Sequence, residues 1–132
     1  MTLNFKMSEL IHSDKAVENN INNMPDINSL DNMLELIFNC LQPVRNLIKK
    51  PMNITSGFRN PIVNRLVGGK ENSQHKTGQA ADFTISGMTP AQIIEIIRKS
   101  NIEYDQLINE HDSWVHISYN KNKNRREVLK IK

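Results

Sequence analysis

The chain has few of the residues and runs that mark specialised classes of protein. It contains one cysteine, Cys40, among 132 residues, which excludes an intrachain disulfide and a cysteine-rich zinc ribbon. Its apolar runs are only a few residues long, whereas a membrane-spanning helix needs about 20 residues. The five glycines form no phosphate-binding loop. A metal site in this chain would therefore depend on histidine, aspartate and glutamate.

The first residues also lack the apolar core of a secretory signal peptide, because Lys6 and Glu9 interrupt the stretch where that core would lie. We therefore expect no signal peptide and a cytoplasmic location in the producing cell. No membrane partner is expected either.

What is present predicts one ordinary folded domain. Hydrophobic residues make up 38% of the chain and charged residues 23%, a balance typical of a globular protein. The length suits one hydrophobic core. We interpret residues 1–132 as a single, monomeric domain with a helical N-terminal part, 1–50, and a core, 51–132, that carries the chemistry.

The N-terminal part shows helical spacing. A short helix is predicted to begin near Ser8. Apolar residues recur every three or four positions over residues 29–48, which predicts a longer helix with one buried stripe. Pro43 lies inside that helix, where it is expected to kink or split it.

The remainder alternates between strand and helix patterns. Helices are predicted over residues 59–67 and from Pro90, with Thr89 as the N-cap. Strands are predicted over residues 52–56, 78–85, 105–110, 114–119 and 127–131. These elements predict an α+β fold, a small antiparallel sheet with helices packed N-terminal to it and on one of its faces.

Three polar features fall within this apolar pattern. His75 lies in a loop seven residues before Asp82, and Asp82 lies in an otherwise apolar strand, where a carboxylate is costly unless it is paired or coordinated. His116 lies in another strand, and Arg59 follows a strand end. Two histidines and one aspartate suit zinc with a fourth position left open. A histidine hydrogen-bonded within a core would give the same pattern.

The predicted hairpin adds a carboxylate to this group. A loop of three residues, 111–113, pairs Glu110 with Trp114 and Ile108 with His116. Because side chains alternate along strands, Glu110 and His116 then lie on one face of the sheet. A carboxylate at that point could accept a proton from zinc-bound water.

The motif Ser73-x-His75-x-x-Gly78-x-Ala80-x-Asp82, followed by Trp114-Val115-His116, resembles peptidase family M15, the zinc D-alanyl-D-alanine carboxypeptidases and phage endolysins. The resemblance is strongest to the short, carboxypeptidase-like branch of that family, and it extends along nearly the whole chain. It implies a fold like that of the hedgehog and D-Ala-D-Ala peptidase domains. The further segments that carry it are 5–13, 41–45, 54–59, 64–69 and 105–110.

The resemblance implies that Zn²⁺ is the cofactor. Its ligands would be His75, Asp82 and His116. Arg59 would hold a carboxylate or carbonyl of the substrate, which its planar donor fork suits.

The resemblance also implies substrate contacts for Ser73 and Gln74, and we interpret Trp114 as a wall of the same cleft. The general base is less well defined, because many relatives have an acidic residue where this chain has Ser113. Glu110 matches the acidic residue of the hedgehog-like and short phage-type branches, and the hairpin register favours it. Asp112 is the second candidate.

We therefore expect a zinc peptidase that cleaves amide bonds in peptidoglycan stem peptides or cross-links, acting on the wall after phage-type release or as a virion component. The alternative is a catalytically silent zinc-containing module of a virion or tail, which Ser113 favours. Nucleic-acid binding by the basic stretch 121–126 is a third hypothesis, weakened by the lack of an aromatic stacking platform.

Overall fold

The computed structural model describes residues 3–132 and has an α+β fold, which confirms the class predicted from the sequence. Within this described part, no helix is long and apolar enough to cross a membrane. The helices are α1 (Met7–Ile11), α2 (Asp14–Glu18), α3 (Ile27–Leu36), α4 (Gln42–Ile48), α5 (Pro61–Leu66) and α6 (Pro90–Arg98). The strands are β1 (Asn53–Ser56), β2 (Ala80–Thr84), β3 (Gln106–Glu110), β4 (Trp114–Ser118) and β5 (Glu127–Ile131).

The five strands form one sheet in the order β1-β2-β4-β3-β5. The pairs β1–β2, β2–β4 and β3–β4 are antiparallel as predicted, but β5 pairs parallel to β3. The sheet is therefore mixed rather than purely antiparallel. β4 ends beside the start of β3, and β5 begins at that same end of the sheet. The chain therefore runs along the outer edge of β3 in the same direction as β3.

The long predicted helix is continuous from α3 to α4, with a wide π-helical turn between them at Ile37–Leu41. Asp26 caps its start by accepting a hydrogen bond from the backbone N–H of Ser29. The π turn ends two residues before Pro43. Pro43 has no N–H to donate, and its ring crowds the preceding turn. The expected interruption is thus a widened turn and not a break.

The two faces of the sheet differ because successive side chains point to opposite sides. One face is apolar and packs with the helices into the core; its members include Ala81, Phe83, Leu107, Val115 and Ile117. The other face carries Asp82, His116, Ile108 and Glu110, which the strand register aligns across β2, β4 and β3. The fold therefore holds these side chains on one surface that is backed by the core.

Gly57 sets how closely the chain after β1 approaches the first helix. A Cβ atom at Gly57 would overlap the carbonyl of Leu10, and that carbonyl accepts a hydrogen bond of 2.7 Å from the N–H of Phe58.

We expect Gly57→Ala to lower the free energy of unfolding by about 1–3 kcal/mol, since the added methyl group forces backbone atoms apart. Urea unfolding measures this effect, with Asn53→Ala at the exposed start of the same strand as the control. Equal midpoints for the two variants would contradict this account of the close approach.

Candidate active site

The structure brings His75, Asp82 and His116 into one buried group. Asp82 and His116 are directly paired across β2 and β4, so their side chains share one face of the sheet. His75 comes from a short 3₁₀ helix, Gln74–Thr77, that lies over this face. One ligand atom from each residue lies within 4.8 Å of the other two.

The separations within this group suit a single metal ion. His116 Nδ1 lies 2.9 Å from Asp82 Oδ1, and His75 Nε2 lies 3.3 Å from the same oxygen. Two ligand atoms about 2.1 Å from a tetrahedral zinc ion stand roughly 3.4 Å apart. Two imidazole nitrogens and one carboxylate oxygen are also a donor set that zinc prefers. The residues therefore fit zinc.

The tautomer of His75 strengthens this fit. Its Nδ1 lies 2.7 Å from the carbonyl oxygen of Gly57, which can only accept, so Nδ1 carries the proton. In the neutral ring Nε2 then presents a lone pair to Asp82. Two acceptors this close repel each other unless a proton or a metal ion lies between them. Such a backbone contact is also how proteins orient ligating histidines.

Asp82 is ionised in this environment. Burial alone raises the pKa of Asp82, but the hydrogen bond with His116 and the close approach of His75 outweigh it, so its pKa lies well below the usual range. A metal ligand must be deprotonated, and Asp82 meets that condition at neutral pH.

Arg59 lies beside this group and is held on several sides. Its Nη2 is 3.6 Å from Asp82 Oδ2. Its Nε donates to Ser56 Oγ at 3.0 Å and its Nη1 to Asn64 Oδ1 at 3.2 Å. Burial lowers the pKa of Arg59, but a guanidinium group stays charged in proteins. The sequence pattern pointed to Arg59 but not to Asn64. The signal for Asn64 was its place as a polar residue on the buried side of α5.

Glu110 lies on the same face as His116, as the hairpin register predicted. The pairs Glu110–Trp114 and Ile108–His116 are confirmed. Glu110 Oε1 lies 3.8 Å from His116 Nδ1, with the side chain one-fifth exposed. The turn that sets this register is closed by the N–H of Ser113 donating to the carbonyl of Glu110.

Asp112, the second candidate for the base, is not brought to this group. Its side chain is 68% exposed and lies 3.7 Å from Lys130. Its carboxylate accepts a hydrogen bond of 2.9 Å from Asn109 Nδ2. This bond supports the hairpin turn, in which Asp112 has a positive φ of 53°.

A cleft of about 540 Å³ opens over the three side chains of the candidate metal centre. The predicted cleft residues Ser73, Gln74 and Trp114 all line it, together with Arg59 and Glu110. Asp112 does not line it. The cleft therefore joins a candidate metal centre, a carboxylate and a fixed cation in one open site.

The sequence model of a family described as peptidase M15 matches residues 3–118. The chain belongs to the peptidase M15 family. The match spans the three residues of the candidate metal centre, Arg59 and Glu110, and it confirms the resemblance seen in the sequence. A search of curated proteins gave no match. The chain is accordingly a metallopeptidase by family, and the family is zinc-dependent.

This M15 peptidase also contains a polar network that the sequence pattern does not predict. Asp105 is buried beside the cleft, where its carboxylate accepts hydrogen bonds from Gln74 Nε2 at 2.8 Å and from Arg125 Nε and Nη2, each at 2.9 Å. In the sequence, Asp105 stands only at the start of a predicted strand, and Arg125 is only one charge of a basic stretch. No local pattern links residues 20 positions apart in this way.

The acid stability of the protein tests this network. The hydrogen bond from Arg125 outweighs burial and lowers the pKa of Asp105 to about 2. A carboxyl group in an unfolded chain titrates near pH 3.9. Since the folded pKa is the lower of the two, Asp105 contributes stability above about pH 4, and this contribution is lost as the pH falls toward about 2.

We expect Asp105→Asn to lose less stability than the wild type over this interval in urea unfolding at stepped pH. Glu71→Gln, which removes a carboxylate that is 91% exposed, serves as the control and should follow the wild type. Parallel pH profiles for Asp105→Asn and the wild type would contradict the low pKa.

Proposed function

We propose that this M15 peptidase hydrolyses amide bonds in peptidoglycan stem peptides or cross-links, with zinc as its cofactor. The observation that carries the proposal is the alignment of Asp82, His116 and Glu110 on one face of the sheet. His75 lies over this face, with its Nε2 3.3 Å from Asp82 Oδ1. The peptidoglycan substrate is supported by the likeness of the His75–Asp82 motif to the D-Ala-D-Ala carboxypeptidases. Its likeness to phage-borne members supports action after phage-type release or from a virion.

In this proposal His75, Asp82 and His116 hold the ion. When bound, zinc supplies a Lewis acid that polarises the scissile carbonyl and lowers the pKa of a coordinated water. With three protein ligands, one coordination position is left open, which is the arrangement of catalytic rather than structural zinc sites.

Glu110 is the proposed general base. It lines the cleft beside His116 and is partly shielded from solvent. Its carboxylate accepts the proton of the attacking water and returns it to the leaving amine, the usual exchange between a positioned carboxylate and an amide. Asp112 lacks this position, since its carboxylate lies outside the cleft.

Arg59 is proposed to orient the peptide. Contacts with Ser56 and Asn64 fix its guanidinium group, so little side-chain freedom is lost when a substrate binds. Its planar N–H groups can donate to a carbonyl or carboxylate next to the bond that is cleaved. Ser73, Gln74 and Trp114 complete the walls around the bound peptide.

The second candidate function is a zinc-containing binding module without turnover. The observation that favours it is Ser113, whose hydroxyl donates to the carbonyl of His111 at 3.1 Å and which stands where many relatives have an acidic residue. A protein of this kind would bind wall peptides and release no fragments.

Metal content tests the proposed ligands. The wild type is expected to hold one zinc ion per chain after dialysis, and His116→Ala is expected to hold none, because two ligands alone bind the ion too weakly. His111→Ala is the matched control, since His111 lines the cleft without belonging to the metal-ligating group. Atomic emission measures the zinc; equal content in the wild type and His116→Ala would reject the ligand set.

Exchange of the base tests the chemistry. Glu110→Gln should retain zinc and lower the rate of wall digestion by about 10²–10⁴-fold, the usual contribution of general acid–base catalysis. Asp112→Asn should digest walls at the wild-type rate. The rate at which a cell-wall suspension clears measures both effects. The assignment fails if Asp112→Asn alone is inactive. A wild type that binds zinc and wall peptides but clears nothing would favour the silent module.

A further inference from the structure

The segment between β4 and β5 contributes to the cleft although it follows the residues that the family model matches. The match ends at residue 118, and the cleft lining includes Arg125 and Ile131. Ile131 belongs to β5, the parallel edge strand, and its carbonyl accepts a hydrogen bond from the N–H of His111. One wall of the cleft is therefore built by a part of the chain that the family match does not cover.

Arg125 is held in this wall in a fixed orientation. Its Nε and Nη2 donate to the two carboxylate oxygens of Asp105, and its backbone N–H donates to one of them at 2.9 Å. The Asp105 side chain is only 3% exposed, whereas that of Arg125 is 52% exposed. The buried carboxylate thus anchors the guanidinium group from behind and leaves it open toward the cleft.

Part of the donor capacity of Arg125 remains unused. No hydrogen bond within residues 3–132 involves its Nη1, so both N–H groups of that nitrogen are available to a ligand. A guanidinium group that is already oriented loses little entropy on binding, and its planar donors suit a carboxylate.

The charges that line the cleft favour an anionic ligand. The cations Arg59, Lys70 and Arg125 line it, against the carboxylates Asp82 and Glu110. Both carboxylates have roles at the metal centre in the proposed function, and a divalent ion there would add further positive charge. Arg59 already lies beside Asp82, whereas the ion-pair partner of Arg125 is Asp105.

We propose that Arg125 binds a carboxylate group of the peptide substrate and makes the enzyme selective for anionic peptides. This inference rests on the proposed function, because it concerns the same cleft. Gln74 donates to the same Asp105 carboxylate, so one buried group positions both side chains along this wall.

Titration calorimetry measures peptide binding to the zinc-loaded Glu110→Gln variant, which is used because loss of the proposed base limits turnover of the peptide. The probe is the synthetic pentapeptide L-Ala-γ-D-Glu-L-Lys-D-Ala-D-Ala in three forms: with all carboxyl groups free, with the C-terminal carboxyl amidated, and with the glutamate α-carboxyl amidated. Loss of a charge-assisted hydrogen bond costs about tenfold in Kd. One of the two amidations is expected to raise Kd by that factor, and the carboxylate that Arg125 binds is the one whose amidation no longer matters in Arg125→Gln.

Variants separate a binding role from a structural one. In Arg125→Gln the difference in Kd between the acid and amide forms should disappear, whereas Arg125→Lys should keep part of it. Lys123→Gln makes the same change of charge in the same segment outside the cleft lining, and it should keep the whole difference. Circular dichroism and zinc content show whether each variant is folded. The comparison of peptide forms on the protein that keeps Arg125 stands even if an Arg125 variant fails to fold.

Three results would overturn the inference: equal Kd for all forms, a difference that persists in Arg125→Gln, or no binding of any form. Wall digestion by the wild type is scored separately. If the protein discriminates acid from amide through Arg125 but digests no wall, the proposed hydrolysis fails and the carboxylate site stands.

Discussion

The buried carboxylate of Asp82 is the constraint on which the site depends. An unpaired carboxylate in this position would cost several kcal/mol, and the fold surrounds it with His116 from the neighbouring strand, His75 from a short helix and Arg59 from the loop after β1. Each partner comes from a different element. The same contacts that form the candidate metal centre therefore also hold the loop and the short helix over the sheet.

Backbone contacts extend this arrangement beyond the site. The Gly57 carbonyl orients the ring of His75, and the next residue, Phe58, donates to the carbonyl of Leu10 in the first helix. The helical N-terminal part thereby supports His75, a candidate metal ligand that lies far from it in sequence. The apolar face of the sheet supplies rigidity from the other side, which holds the polar groups in place before any ligand binds.

Much of this could be predicted from the sequence because the signals were local. Alternation along β3 and β4, with a loop of three residues, was enough to place Glu110 beside His116 on one face. The cap at Thr89 and the helix after it followed from neighbouring residues. The parallel pairing of β5 and the contact between Asp105 and Arg125 could not be predicted in this way, since both depend on where the chain returns to the sheet after β4.

The central claim is that a metal-dependent peptidase acts in this cleft on peptidoglycan. Mass spectrometry of the fragments released from purified walls by the wild-type protein tests it most directly, with zinc present, with zinc chelated, and with zinc restored. The account predicts peptide fragments with a newly formed amine or carboxyl end, lost on chelation and regained with zinc. Fragments that persist unchanged without metal, or none in any condition, would contradict it.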